Sequence, residues 1–138
     1  MTINAYTDGA SRGNPGESGI GIILRDEKGN LLHSFGGYIG RATNNIAEYK
    51  ALLACLKKAR ETPCTKLVVH SDSELLVRQL QGKYRVRNKN LQKYYLLVRR
   101  LIEDAPFAVE FLHIDRERNH EADLLANAGI DSRRRLAV

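Results

Sequence analysis

The chain is expected to fold as a mixed α/β protein, with a five-stranded mixed sheet and helices on both faces. Three observations predict this. Stretches of strand-like patterning open the chain, short apolar runs then alternate with stretches of helical spacing, and segments rich in Gly, Pro, Asn or Asp separate many of them. Strands joined by tight turns run antiparallel, whereas strands separated by helices run parallel to their neighbours. The order strand, strand, strand, helix, strand, helix, helix, strand, helix therefore requires a sheet of mixed direction.

Thr2 to Thr7 alternates Ile3, Ala5 and Thr7 with Asn4 and Tyr6, and reads as a strand that ends at Asp8. Gly13-Asn14-Pro15-Gly16 is a turn-forming loop, followed by strands over Gly19 to Arg25 and Leu31 to Ile39. Between these two, Asp26 to Asn30 is a hairpin loop with Gly29 placed to accept positive φ. From Ile46 to Arg60 the residues Ile46, Tyr49, Leu52, Leu53, Leu56 and Ala59 recur at steps of three and four, which predicts a helix with one buried stripe. Thr62-Pro63 stops it. Lys66 to Ser71 is a short strand ending at Asp72, Glu74 to Gln81 a short helix closed by Gly82, and Leu91 to Ile102 a further helix. Phe107 to Ile114 is the last strand and Asn119 to Ala128 the last helix.

With 138 residues, 43% of them hydrophobic, the chain suits one compact domain and is too short for two ordinary ones. The domain is expected over residues 1–130, with 131–138 as a short basic tail carrying Arg133, Arg134 and Arg135. The first residues lack the basic and then apolar layout of a secretion signal, and no run is long enough to cross a bilayer, so a cytoplasmic monomer is expected. Cys55 and Cys64 are too few and too irregularly placed for a disulfide framework or a zinc site.

A net charge of +6 and a pI near 9.5 favour an anionic partner. Arg78 to Arg100 contains eight Lys or Arg residues and no Asp or Glu, with Tyr84, Tyr94 and Tyr95 interleaved. Within this run Lys83, Arg85, Arg87 and Lys89 are the expected phosphate contacts.

The chemistry is expected from Asp8, Glu48, Asp72 and Asp123. Each has an ordinary structural explanation: Asn45-x-x-Glu48 and Ser71-x-x-Glu74 are capping patterns, Asp123 falls in the first turn of a helix, and Asp8-Gly9 is a common turn pair. Four separate caps have no reason to converge, however, whereas Asp8 and Asp72 both sit at strand ends where mixed sheets gather ligands. A hydrolase binding two divalent cations needs such a cluster of hard oxygen donors for in-line displacement at phosphorus. Without cations, neighbouring carboxylates repel one another and are pushed to higher pKa.

The strings TDGASRGNPG at Thr7 to Gly16, TNNIAEYKAL at Thr43 to Leu52, SDSELL at Ser71 to Leu76 and NHEADLLAN at Asn119 to Asn127 together resemble the motif regions of type 1 ribonuclease H, in order and spacing. This resemblance implies the ribonuclease H-like fold and endonucleolytic cleavage of the RNA strand of RNA/DNA hybrids, largely independent of sequence. It implies that Asp8, Glu48, Asp72 and Asp123 ligate two Mg²⁺ ions, with Mn²⁺ as an alternative, and that Glu48 lies near the RNA 2′-hydroxyl. It also implies that Asn14, Asn44 and Asn45 touch the minor groove and that Thr43 belongs to a pocket for a DNA phosphate. Short amides suit such a groove, because they both donate to and accept from ribose hydroxyls.

Two departures mark the compact branch of that family. The segment Gly82 to Asn90 stands where many members carry a longer basic loop with tryptophans, and this chain has no Trp. Before the last helix, Asp115 to Asn119 replaces a longer loop bearing a His, leaving Arg118 or His120 as candidates to take its place. Double-stranded RNA as a further substrate, a non-catalytic hybrid-binding module, and a transposase, integrase or resolvase on the same fold are the alternative readings.

Overall fold

The computed structural model describes residues 1–138. A five-stranded sheet is built from β1 (Thr2–Gly13), β2 (Gly16–Arg25), β3 (Leu31–Ala42), β4 (Lys66–Ser71) and β5 (Ala108–His113). Its spatial order is β3-β2-β1-β4-β5. The first three strands form an antiparallel meander, and β4 and β5 add in parallel on the other side of β1. The helices are α1 (Asn44–Ala59), α2 (Glu74–Leu80), α3 (Lys89–Asp104) and α4 (His120–Ser132), with a 3-10 turn over Arg116–Asn119 leading into the last.

The two faces are covered by different helices, as expected for a sheet whose connections include helical crossovers. Ile3 and Ala5 of β1, Ile20, Ile22 and Leu24 of β2, and Leu67 and Val69 of β4 are buried in the main core with Ala47, Ala51, Leu52 and Leu56 of α1. Val98 of α3 and Phe111 of β5 extend that core. Asp8 is paired with Gly21 and Gly9 with Ile20, so adjacent β1 residues face opposite sides. The Gly21 side receives α4, whose Ala122, Ala126 and Ile130 are buried.

The chief departure from the sequence reading is that β1 does not end at Asp8. Its parallel partner β4 stops pairing at Thr7–Ser71, but its antiparallel partner β2 continues to Gly13–Gly16. Ladder hydrogen bonds on one edge are enough to carry the strand past Asp8. Asp8 and Asp72 thus stand where the parallel ladder ends, which keeps the expected juxtaposition for a different reason. Helix α4 runs on to Ser132, four residues beyond the expected Ala128, because Ala126 and Ile130 have β2 and β3 to pack against. No helix is long and apolar enough to cross a membrane.

Candidate metal centre and nucleic-acid interface

Three elements bring three carboxylates together. Asp8 comes from β1, Asp72 follows the end of β4, and Glu48 lies on the second turn of α1. One ligand oxygen from each lies within 4.8 Å of the others. The approach of α1 depends on Gly9. A Cβ there would fall 2.3 Å from the Ala47 carbonyl carbon and 2.4 Å from the Glu48 nitrogen, so any other residue would push the helix away. The Gly9 amide then donates to Glu48 Oε1 at 2.7 Å, tying the helix carboxylate to the strand that carries Asp8.

The capping-box patterns do not account for Glu48 and Asp72, whereas Asp123 does lie in the first turn of α4. Thr43, not Asn45, caps α1, its hydroxyl accepting from the Ile46 amide at 3.2 Å, and Glu48 is occupied by Gly9. Ser73, not Ser71, caps α2 by accepting from the Leu76 amide. Asn119 makes no side-chain cap on α4. It is buried and donates instead to the Thr7 carbonyl at 2.8 Å, joining the start of α4 to β1 beside Asp8.

The electrostatics are those of a crowded anionic site. Asp8 is pushed up from 3.8 to about 10, first by burial and then by the charges of Glu48 and Asp72. Burial likewise raises Glu48 to about 7, against the opposing pull of the Gly9 amide. Asp72 is raised by burial, with the Arg116 guanidinium acting in the other direction. Glu48 Oε2 is buried and has no hydrogen-bond partner. Clustered carboxylates raised by mutual repulsion, with an orphaned buried oxygen among them, fit a hard divalent cation.

Asp123 stands at the edge of this cluster. It lines the same cleft, of about 330 Å³, with Asp8, Glu48 and Asp72, but lies outside the tight trio, and its Oδ1 accepts from Asn127 Nδ2 at 3.2 Å. Its charge is among those raising Asp72. Asn44 also lines the cleft. Asn14 sits in the β1–β2 turn, and its Oδ1 accepts from the Asn44 amide at 3.0 Å, while Asn45 is exposed on the first turn of α1. The amides expected to contact a minor groove therefore gather around the start of α1.

Lys83, Arg85 and Arg87 are exposed between α2 and α3, and Lys89 is exposed at the first position of α3, all outside the acidic cleft. Val86 is buried in the middle of the segment, and its carbonyl accepts from Gln92 Nε2 at 2.9 Å, so the basic residues project from an anchored loop. Tyr84 is exposed beside them, whereas Tyr94 and Tyr95 pack against the core.

The sequence reading missed Arg116. It singled out Arg118 and His120, but Arg118 lines a separate hollow with Tyr6, Arg25 and Glu121, and His120 points to solvent. Arg116 is the cation that lines the acidic cleft. Nothing in the string Arg116-Glu117-Arg118 distinguishes the two arginines, because the 3-10 turn decides which one faces Asp72.

Comparison with known proteins gives a consistent result. Residues 6–129 match the family model described as Reverse transcriptase-like. The chain is 37% identical over 129 residues to a ribonuclease HI of Halobacterium salinarum, covering 94% of this chain and 64% of that protein. It is 33% identical over 144 residues to a ribonuclease H of Chromobacterium violaceum, covering 94% of this chain and 95% of that protein. It spans just under two thirds of the halobacterial relative and about a third of the mycobacterial relatives it matches. Among solved structures, LC11-RNase H1 in complex with an RNA/DNA hybrid superposes with a TM-score of 0.90 at 42% identity, over 94% of this chain and 97% of that one. With the sheet order, the acidic cleft and near-complete coverage in agreement, the chain belongs to the type 1 ribonuclease H family.

Proposed function

We propose that this protein is a Mg²⁺-dependent endonuclease that hydrolyses the RNA strand of RNA/DNA hybrids with little regard to sequence. The observation that carries this reading is the convergence of Asp8, Glu48 and Asp72, oxygen to oxygen within 4.8 Å, around the unpartnered Glu48 Oε2. Asp123 completes the ligand set from α4. Asp8, Glu48, Asp72 and Asp123 would hold a pair of divalent cations, which when bound would supply positive charge for the scissile phosphate and acidify the attacking water. The protein's own part is to hold the four carboxylates against their mutual repulsion, through the Gly9 amide on Glu48 and the Arg116 charge near Asp72.

The remaining residues bind and orient. Asn14, Asn44 and Asn45 face ribose hydroxyls in the minor groove, Thr43 contacts a DNA phosphate while capping α1, and Lys83, Arg85, Arg87 and Lys89 grip the backbone further out. In our reading the catalytic domain spans 1–130, with 131–138 as a basic tail. It works in the cytoplasm, to which the free thiols of Cys55 and Cys64 are suited, and as a monomer.

The test is cleavage of end-labelled RNA/DNA, RNA/RNA and DNA/DNA duplexes with Mg²⁺, with Mn²⁺ and in EDTA. Internal cuts in the RNA of the hybrid, dependent on Mg²⁺, are expected, and DNA/DNA should stay intact. Equal cutting of RNA/RNA would widen the substrate class. No cutting of the hybrid with either ion would refute the proposal.

A further inference from the structure

The basic tail does not trail into solvent. After α4 the chain turns at Arg133, in the left-handed region at φ 56°, and lies along the outer edge of β3. The Tyr38 amide donates to the Arg134 carbonyl at 3.0 Å, and the Leu136 amide donates to the Tyr38 carbonyl at 2.8 Å. Gly40, at φ 82°, leaves the space that the Arg135 guanidinium occupies, since a Cβ there would meet its nitrogen at 2.8 Å.

Tyr38 then organises the charges. The guanidinium groups of Arg133 and Arg135 lie 5.4 and 5.3 Å from the centre of its ring, and its hydroxyl donates to Glu17, which also pairs with Arg133 at 3.1 Å. Next to them, Arg12, Glu17 and Arg41 stand opposite one another on three adjacent strands. Arg12 is paired with Asp131 at 2.6 Å. Four arginines, Arg12, Arg41, Arg133 and Arg135, thus share one surface with two carboxylates, and Arg41 and Arg135 have no ion pair, while Arg134 lines a separate hollow with Leu125 and Ala128. Covering a sheet edge needs only the tail's backbone and Leu136. It does not call for three successive arginines, two of them immobilised on an aromatic ring before any ligand arrives.

The position of this surface relates it to the acidic cleft. Arg12 lies four residues beyond Asp8 on the same strand and the same face, about 13 Å at roughly 3.3 Å per residue, which spans about four base steps of a duplex at 3.4 Å each. It is on the β3 side of the cleft, whereas Lys83 to Lys89 is on the side of α2 and α3.

We propose that the docked tail and the β1–β2 tip form a second phosphate-binding surface, which holds the backbone of the substrate duplex a few base pairs from the cut. This rests on the hybrid-cleavage reading above. The test is binding of a fluorescent 18-base-pair RNA/DNA hybrid in EDTA, titrated from 50 to 200 mM salt, with the wild type and two double variants. Arg133→Gln with Arg135→Gln should reduce the salt slope by about two, so that the affinity lost across this range shrinks about tenfold. Arg133→Lys with Arg135→Lys should keep the wild-type slope. Arg135 also packs on Gly40, so Arg12→Gln, at an exposed side chain of the β1–β2 tip, is the second check and should lower the slope by about one with a melting temperature close to wild type. Wild-type slopes in both Gln variants, with the wild type binding normally, would overturn the inference. Failure of the wild type to bind the hybrid at all would instead overturn the functional reading beneath it.

Discussion

Replacing Asp8 by Asn removes one charge from the cluster while keeping its shape, and should have opposite effects on activity and on metal-free stability. The folded protein holds the Asp8 proton up to about pH 10, because burial and the charges of Glu48 and Asp72 disfavour ionisation, while the unfolded chain releases it near 3.8. Over that interval the unfolded state binds fewer protons than the folded state, so stability falls as pH rises from about 4 towards 10. At pH 7 roughly three units have been crossed, and at 1.36 kcal/mol per unit this amounts to about 4 kcal/mol. Asn has no such proton to hold, so the variant should regain much of that sum, a rise in Tm on the order of 10 °C. Thermal melts in EDTA at pH 5, 7 and 9 should show the gap between variant and wild type widening with pH. Excess Mg²⁺ should narrow or reverse it, since the wild type gains more from cation binding. Hybrid cleavage by the variant should be abolished at every Mg²⁺ concentration. A variant no more stable than the wild type in EDTA at pH 7, or one cutting at near-normal rate in saturating Mg²⁺, would refute the placement of Asp8 at the centre of a metal-binding cluster.

Changing Lys83, Arg85, Arg87 and Lys89 together to Ala should weaken hybrid binding and flatten its salt dependence by up to about 0.9 per lost phosphate contact, measured as the slope of log affinity against log salt. An unchanged slope would mark the segment as an ordinary solvated loop. Asn44→Ala with Asn45→Ala should reduce cleavage, with a penalty that shrinks on hybrids whose ribose hydroxyls near the cut have been removed. Thr43 caps the helix, so this pair should leave the melting temperature close to wild type, and equal losses across the ribose series would count against a role in sensing RNA. Arg116→Ala should push the Asp72 carboxyl higher, because it removes the cation that opposes burial there. Its Mg²⁺ requirement should rise most at low pH, where a raised carboxyl competes for protons. A Mg²⁺ titration at pH 6 and 8 that matches wild type at both would show that Arg116 is only a neighbour.

The readable parts of the site lay in short, local strings. Asp8, Glu48, Asp72 and Asp123 are each set in a motif of at most ten residues, and the order of strands and helices places Asp8 and Asp72 at one rim. Boundaries were less legible where a neighbour supplies the missing hydrogen bonds or packing. β1 extends past Asp8 because β2 runs beside it, and α4 continues to Ser132 because β2 and β3 offer an apolar seat. Local patterning also offered two caps, set aside there in favour of the carboxylate cluster, that the fold does not use. Asn45 and Ser71 have the right chemistry, but Thr43 and Ser73 occupy the extended backbone that a cap requires.

The sequence alone determined the alternation of elements, the mixed sheet, the basic surplus and the four acids, because periodicity, turn residues and charge are properties of neighbours along the chain. Tertiary structure alone decided the rest. It chose Arg116 over Arg118 as the cation in the cleft, through the direction of a single 3-10 turn. It set Asp123 outside the tight trio of carboxylates, and gathered Asn14 and Asn44 by a hydrogen bond spanning 30 residues. It also folded the three tail arginines back onto Tyr38, across nearly a hundred residues of chain. Such proximities depend on where two distant segments come to rest, and that is settled by the packing of α1 and α4 on opposite faces of the sheet.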